Sequence, residues 1–177
     1  MRFQPTAIHG VMRIEAEPHY DERGLFARLY CPVEFAAAGL GDFAPVQTNL
    51  SRNRRRHTLR GLHFQPAPFA EPKLVRVTQG RIQDVVADLR PESPTYRQWT
   101  SVELDAAGLT GLFIPEGCAH GFLTLDDHTD VLYQMGRPQV IGLGRGIRWN
   151  DPAWNIAWSA HPLVMNDRDA SWPDWSD

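Results

Sequence analysis

From Lys73 to Met135 the sequence runs as short apolar segments cut off by glycine, proline and aspartate, a rhythm that fits a β-sandwich or barrel. In KLVRVTQ, Val75 and Val77 fall on one face by the two-residue period of a strand. Gly80 and Arg81 mark a turn before IQDVVADL, and QWTSVEL, TGLFIP, GFLTLD and DVLYQM follow at close spacing. One short helix is expected over Pro32 to Leu40, where proline opens the segment, alanines fill it and Gly39 stands near its end. The fold class is therefore all-β. The last third has another texture. GIRWNDPAWNIAWS and DASWPDWSD hold five of the six tryptophans and are expected to wrap the barrel or join an interface.

At 177 residues the chain is sized for one domain with a substantial core. Its 14 glycines and 14 prolines are scattered rather than pooled, so residues 1–177 read as a single domain without a linker. A formal charge of −3 gives no general basic field, which disfavours a nucleic-acid binder. The one basic run, SRNRRRHTLR at 51–60, lacks interleaved aromatics. It reads as a solvated loop, or as a place where one or two arginines grip a phosphate. No apolar run approaches the roughly 20 residues of a membrane helix, and MRFQPTAIHGV lacks the apolar centre of a secretory signal. Cys31 and Cys118 are too few for a disulfide framework. A reduced, cytoplasmic protein that binds neither nucleic acid nor membrane is expected.

Four stretches set polar groups inside the apolar pattern. In LRGLHFQ, His63 lies between Leu62 and Phe64 and so points to the opposite face, which on a barrel strand is the interior. A satisfied or surface histidine is the competing reading, and Arg60 and Gln65 nearby favour a lined cavity. Lys73 opens an apolar strand as an ammonium donor, with Arg76 following, against the alternative of a solvated strand end. In IPEGCAHGF, His120 comes just after a tight turn at a strand mouth, where a histidine in water is the plain alternative. Tyr133, in DVLYQM, reads on its own as a core tyrosine whose hydroxyl needs a partner if buried.

Taken together and in this order, these stretches resemble the dTDP-4-dehydrorhamnose 3,5-epimerase family of cupin-fold enzymes. The likeness is carried by DERGLF at 21–26, VQTNLS at 46–51, TLRGLHFQ at 58–65 and KLVRVTQGRIQDVVADLRPESPTYRQW at 73–99. It continues through VELDAAG at 102–108, LFIPEGCAHGFLTLDD at 112–127, GIRWNDP at 146–152 and NDRD at 166–169. The resemblance implies a cupin-type double-stranded β-helix, a jelly-roll barrel, with a few short helices. It also implies epimerisation at C3, C5 or both of a nucleotide-linked 4-keto-6-deoxy sugar, with no cofactor and no metal, in rhamnose, cell-surface polysaccharide or antibiotic-sugar synthesis. On this resemblance His63 matches the general base, Asp169 its carboxylate partner (with Asp167 as the alternative), Tyr133 the general acid and Lys73 the residue near the enolate oxygen. Arg60 and His120 match residues lining the sugar and diphosphate site. Arg23, Phe26, Gln47 and Asn49 match nucleotide-side contacts, some of them given by the neighbouring subunit of a homodimer.

The residue types suit those roles. A hydrogen beside a ketone leaves as a proton only if the enolate is stabilised, and a positive charge such as Lys73 supplies that. Histidine, with an ordinary pKa of about 6.5, is a largely neutral base at pH 7, and a carboxylate behind it orients the ring. Tyrosine keeps its proton at neutral pH and can return it to carbon on the other face. The chain departs from the family pattern at Arg28, where many members are acidic, and at Pro138 and Gly144, where an ungapped count expects tyrosine and glutamate. Cys118 replaces a usual phenylalanine. The first three bear on which nucleotide and sugar are used and whether both carbons invert. The rival readings are a metal-dependent cupin using His63 and His120, a non-catalytic sugar-nucleotide module, and a 3,4-ketoisomerase on a related substrate. The metal reading is weakened by Phe64 and Gln65, poor ligands where a second one is needed.

Overall fold

In the computed structural model, which describes residues 1–176, strand alternation produces two antiparallel sheets that face each other. The thirteen strands are β1 (Arg2–Pro5), β2 (Met12–Glu15), β3 (His19–Asp21), β4 (Gly24–Phe26), β5 (Gln47–Asn53), β6 (Leu59–Phe64) and β7 (Lys73–Gln79), followed by β8 (Arg81–Asp88), β9 (Trp99–Asp105), β10 (Thr110–Ile114), β11 (Cys118–Thr124), β12 (Thr129–Met135) and β13 (Arg145–Gly146). One sheet has the order β1-β2-β10-β7-β12-β5, the other β13-β6-β11-β8-β9. From β5 to β8, and again from β9 to β12, each successive strand crosses to the other sheet, which is the winding of a jelly roll. Strands β3 and β4 form a separate exposed hairpin.

The two-residue period sorts each strand's residues between the barrel interior and its outer faces. Val75 and Val77 of β7 and Leu112 and Ile114 of β10 meet Ile82 and Val86 of β8 and Phe122 of β11 between the sheets. Each such side chain contributes about 1.5–3 kcal/mol on burial. The opposite face of the six-stranded sheet (Ile14, Leu74, Phe113) packs on Phe35 and Phe43. The opposite face of the other sheet (Leu62, Val85, Ala87, Ala119) packs on Ile147 and Trp154, with Trp99, Trp158 and Trp175 partly buried against it. Of the two roles open to the C-terminal tryptophans, wrapping the barrel is the one seen in the chain.

Phe35 anchors the first helix, α1 (Pro32–Ala37). It is shorter than the segment expected, because Gly39 takes a φ of +79° and the Leu40 N–H turns back onto the Phe35 carbonyl at 2.8 Å, a glycine-terminated helix end. The second helix, α2 (Asp167–Ala170), is capped by Asn166, whose side chain accepts from the Asp169 N–H at 2.7 Å.

The alternative of a solvated strand end at the start of β7 is overturned. Lys73 and Arg76 are 6% and 3% exposed, on opposite faces of the strand. Arg76 donates to the Leu29 and Leu109 carbonyls, and burial pushes its guanidinium down to about 10. Strands β6 and β11 touch through glycines. A Cβ on Gly61, whose φ is +115°, would lie 2.6 Å from the Gly121 Cα, so only this pair lets the two backbones meet. Among the described residues no helix is long and apolar enough to cross a membrane.

Candidate active site

That glycine contact brings two histidines side by side, for His63 of β6 pairs in register with His120 of β11. His63 faces away from Leu62 and Phe64, as alternation requires, and opens into a cavity of about 300 Å³. Its Nε2 lies 2.7 Å from Asp169 Oδ1, while Asp169 Oδ2 accepts the Gly61 N–H at 3.0 Å. The His63 side chain is 45% exposed and that of Asp169 only 1%, so the ring meets the cavity and the carboxylate is hidden behind it. Burial alone would raise the Asp169 carboxyl. The hydrogen bond and charge of His63, the Gly61 N–H and Arg168 outweigh it and hold the carboxyl below its ordinary range. A carboxylate at Nε2 selects the tautomer with its proton there and leaves the Nδ1 lone pair as the basic site. Asp167 is exposed, so the carboxylate on His63 is Asp169.

Tyr133 reaches the same cavity from β12, on the facing sheet. Its ring packs between His120 and Phe122, with centroids 5.9 and 6.4 Å away. Burial, then the nearby Asp84 charge, push its phenol above the ordinary tyrosine value, with Arg60 pulling the other way. Tyr133 therefore carries its proton throughout the neutral range. Lys73, first residue of β7, adds an ammonium that pairs with Glu71 at 3.0 Å and donates to the His63 carbonyl at 3.3 Å.

Of the other sequence-predicted residues, Arg60, His120 and Asn49 line the cavity, and Gln47 donates to Asn49 Oδ1 at 3.2 Å. Arg60 is fixed by Asn53 Oδ1 at 2.8 Å. Arg23 and Phe26 stand apart on the β3–β4 hairpin, with Phe26 76% exposed and Arg23 paired to Asp21, and neither lines this cavity.

Sequence reasoning missed Asp84, Glu71, Arg145 and Arg168. Asp84 of β8 is fully buried and pairs with His120 Nε2. Its signal was legible: a carboxylate standing between Ile82 and Val86 on the interior face of an otherwise apolar strand. Arg145 and Arg168 line the cavity mouth, with Arg168 donating to the Gly144 carbonyl at 2.8 Å. Among the described residues, no three His, Cys, Asp or Glu side chains gather as a metal site would.

Comparison with known proteins identifies the family. The family model described as dTDP-4-dehydrorhamnose 3,5-epimerase matches residues 5–177. An enzyme of that name from Sinorhizobium fredii is 39% identical over 174 residues, 98% of this chain and 89% of the relative. The crystal structure of one from Bacillus anthracis, with TDP and PPi bound, has a TM-score of 0.94 at 35% identity and covers 98% of this chain and 99% of its own. Another, from Legionella pneumophila in complex with dTDP-4-keto-L-rhamnose, has a TM-score of 0.89 at 33% identity and covers 96% and 89%. Fold and relatives together define a carbohydrate epimerase built on a cupin jelly roll. More particularly, the chain belongs to the dTDP-4-dehydrorhamnose 3,5-epimerase family. The metal-dependent and ketoisomerase readings are not favoured.

Proposed function

We propose that the enzyme inverts C3, C5 or both of a nucleotide-linked 4-keto-6-deoxy sugar, of the dTDP-4-dehydro-6-deoxyglucose to dTDP-4-dehydrorhamnose type. The observation that carries this reading is the opposition of His63, backed by Asp169, to Tyr133 on the facing sheet, with Lys73 in the same cavity. His63 Nδ1 takes the proton beside the ketone, and Asp169 stabilises the imidazolium. Lys73 stabilises the negative charge that grows on the ketone oxygen. Tyr133 delivers a proton to the other face of the ring. Arg60, Arg145 and Arg168 offer guanidinium groups suited to a diphosphate.

The enzyme acts as a homodimer in which Arg23 and Phe26 complete the neighbour's nucleotide site. The exposed hairpin supports this, with Tyr20, Leu25 and Phe26 at 72%, 49% and 76% exposure, as does Leu50 on the edge strand β5. We assign it to the cytoplasm, which two unpaired cysteines suit. Incubation with dTDP-4-keto-6-deoxyglucose in deuterated water tests the reaction. NMR should show solvent deuterium at C3, C5 or both without added cofactor, and no exchange with dTDP, UDP, GDP or CDP 4-keto sugars would refute it.

A further inference from the structure

The wall of the cavity opposite the barrel is the segment 137–144 between β12 and β13. Its residues 137 to 142 are exposed, and Gln139, Val140 and Gly142 line the cavity. An exposed segment needs ties to hold a fixed wall. Gln139 N–H donates to Gln47 Oε1 at 3.0 Å, and Arg137 reaches the Pro68 carbonyl at 3.1 Å and Glu116 at 3.0 Å. The tie that runs into the buried interior is another one. Val140 N–H donates to Gln65 Oε1 at 2.7 Å, and Gln65 is 4% exposed.

The orientation of Gln65 is set from behind. Its Nε2 donates to Glu71 Oε2 at 2.9 Å and to the Phe69 carbonyl at 3.0 Å, and approaches the Pro138 carbonyl at 3.5 Å. Glu71 Oε1 holds the Lys73 ammonium at 3.0 Å, with side-chain exposures of 5% and 7%. A carboxylate only accepts hydrogen bonds, so Gln65 must turn its nitrogen to Glu71, and its oxygen is left for Val140. One carboxylate thus fixes two things, Lys73 with one oxygen and the cavity wall with the other.

We propose that Glu71 is a positioning residue for substrate binding, which acts through Gln65 to hold the 137–144 segment against the cavity. The proposal rests on reading that cavity as the sugar-nucleotide site. It makes a sharp demand on the chemistry at position 71. A glutamine there has one accepting and one donating end. With its oxygen on Lys73, its amino group faces the amino group of Gln65. If Gln65 turns over to relieve this, it presents a donor to the Val140 N–H. The opposite rotamer would set an amino group against the Lys73 ammonium, the costlier clash, so the mismatch falls on the Gln65 side and the relay loses a bond there.

The test uses Glu71→Gln in the full chain, read by amide hydrogen exchange and by steady-state kinetics on dTDP-4-keto-6-deoxyglucose. The Val140 amide should exchange about tenfold faster while the β7 amides stay protected, and KM should rise about five- to tenfold, more than kcat falls, as expected for one lost hydrogen bond. The double variant Gln65→Glu with Glu71→Gln restores an acceptor to Val140 and a donor–acceptor match between positions 65 and 71, while giving up the donor to the Phe69 and Pro138 carbonyls. It should recover Val140 protection and KM in part relative to the single variant. Unchanged Val140 exchange in Glu71→Gln, or a double variant that recovers neither quantity, overturns the proposal. Should Glu71→Gln also lose β7 protection, the double variant decides by the same two readings. Failure of the functional reading looks different: the wild type would show no turnover, while Val140 exchange in the unliganded enzyme is still measured.

Discussion

His63 and Asp169 differ sharply in exposure, the ring open to the cavity and the carboxylate sealed behind it. Asp169→Asn keeps the shape but removes the charge that stabilises a protonated ring, so solvent exchange and epimerisation should fall together by about 10²–10⁴-fold. Following deuterium uptake by NMR checks this. Tyr133→Phe keeps the ring contacts to His120 and Phe122 but deletes the hydroxyl proposed as the proton donor. Exchange should then continue with configuration retained, since His63 can return a proton to the face it came from. The ratio of inverted product to exchanged substrate should drop about tenfold or more, and an unchanged ratio would remove Tyr133 from the mechanism. His63 was legible because strand alternation aimed it away from Leu62 and Phe64. Its partner in the fold was not readable from local pattern, since Asp169 lies 106 residues away and only the resemblance pointed to it.

Strands β6 and β11 owe their closeness to two missing side chains. A Cβ on Gly121 would stand 2.8 Å from the Arg60 carbonyl oxygen and 3.2 Å from the Gly61 and Leu62 Cα atoms, all backbone. Gly121→Ala must therefore part the strands that carry His63 and His120. It should cost about 1–3 kcal/mol in chemical denaturation, the usual penalty for overpacking, and lower turnover as well. The sequence marked nearly every strand from β7 to β12, because a half-buried strand writes its faces in alternation. It could not tell that Lys73 and Arg76 are both buried, since burial on the outer face of β7 depends on Leu29 and Leu109, which other segments bring there. The glutamate beside Lys73 was invisible for a like reason: EPK reads as a charged strand entrance until Gln65 and Lys73 close over it.

For the molecule as a whole, acid is the telling perturbation. Asp88 is fully buried; burial would raise its carboxyl, but Arg90, Ser93 and Thr95 hold it down at about 2. Its folded value lies below the unfolded one, so its stabilisation is present above about pH 4 and is lost as pH falls toward 2. Asp169 works in the same direction. Unfolding free energy should decline as pH falls from about 4 toward 2, and Asp88→Asn should flatten that decline by about 2 kcal/mol. Light scattering at micromolar concentration should give the mass of two chains, and Phe26→Glu should shift it toward one while weakening substrate binding. The wrapping tail has one more consequence. Asp169 reaches His63 from a four-residue helix outside both sheets, whereas His63 itself is rooted in the barrel. Such a short peripheral element opens more readily than core strands. On warming, the enzyme should therefore fall silent while its barrel is still intact, and recover on cooling, behaving as though it carried a fuse that melts before the wiring.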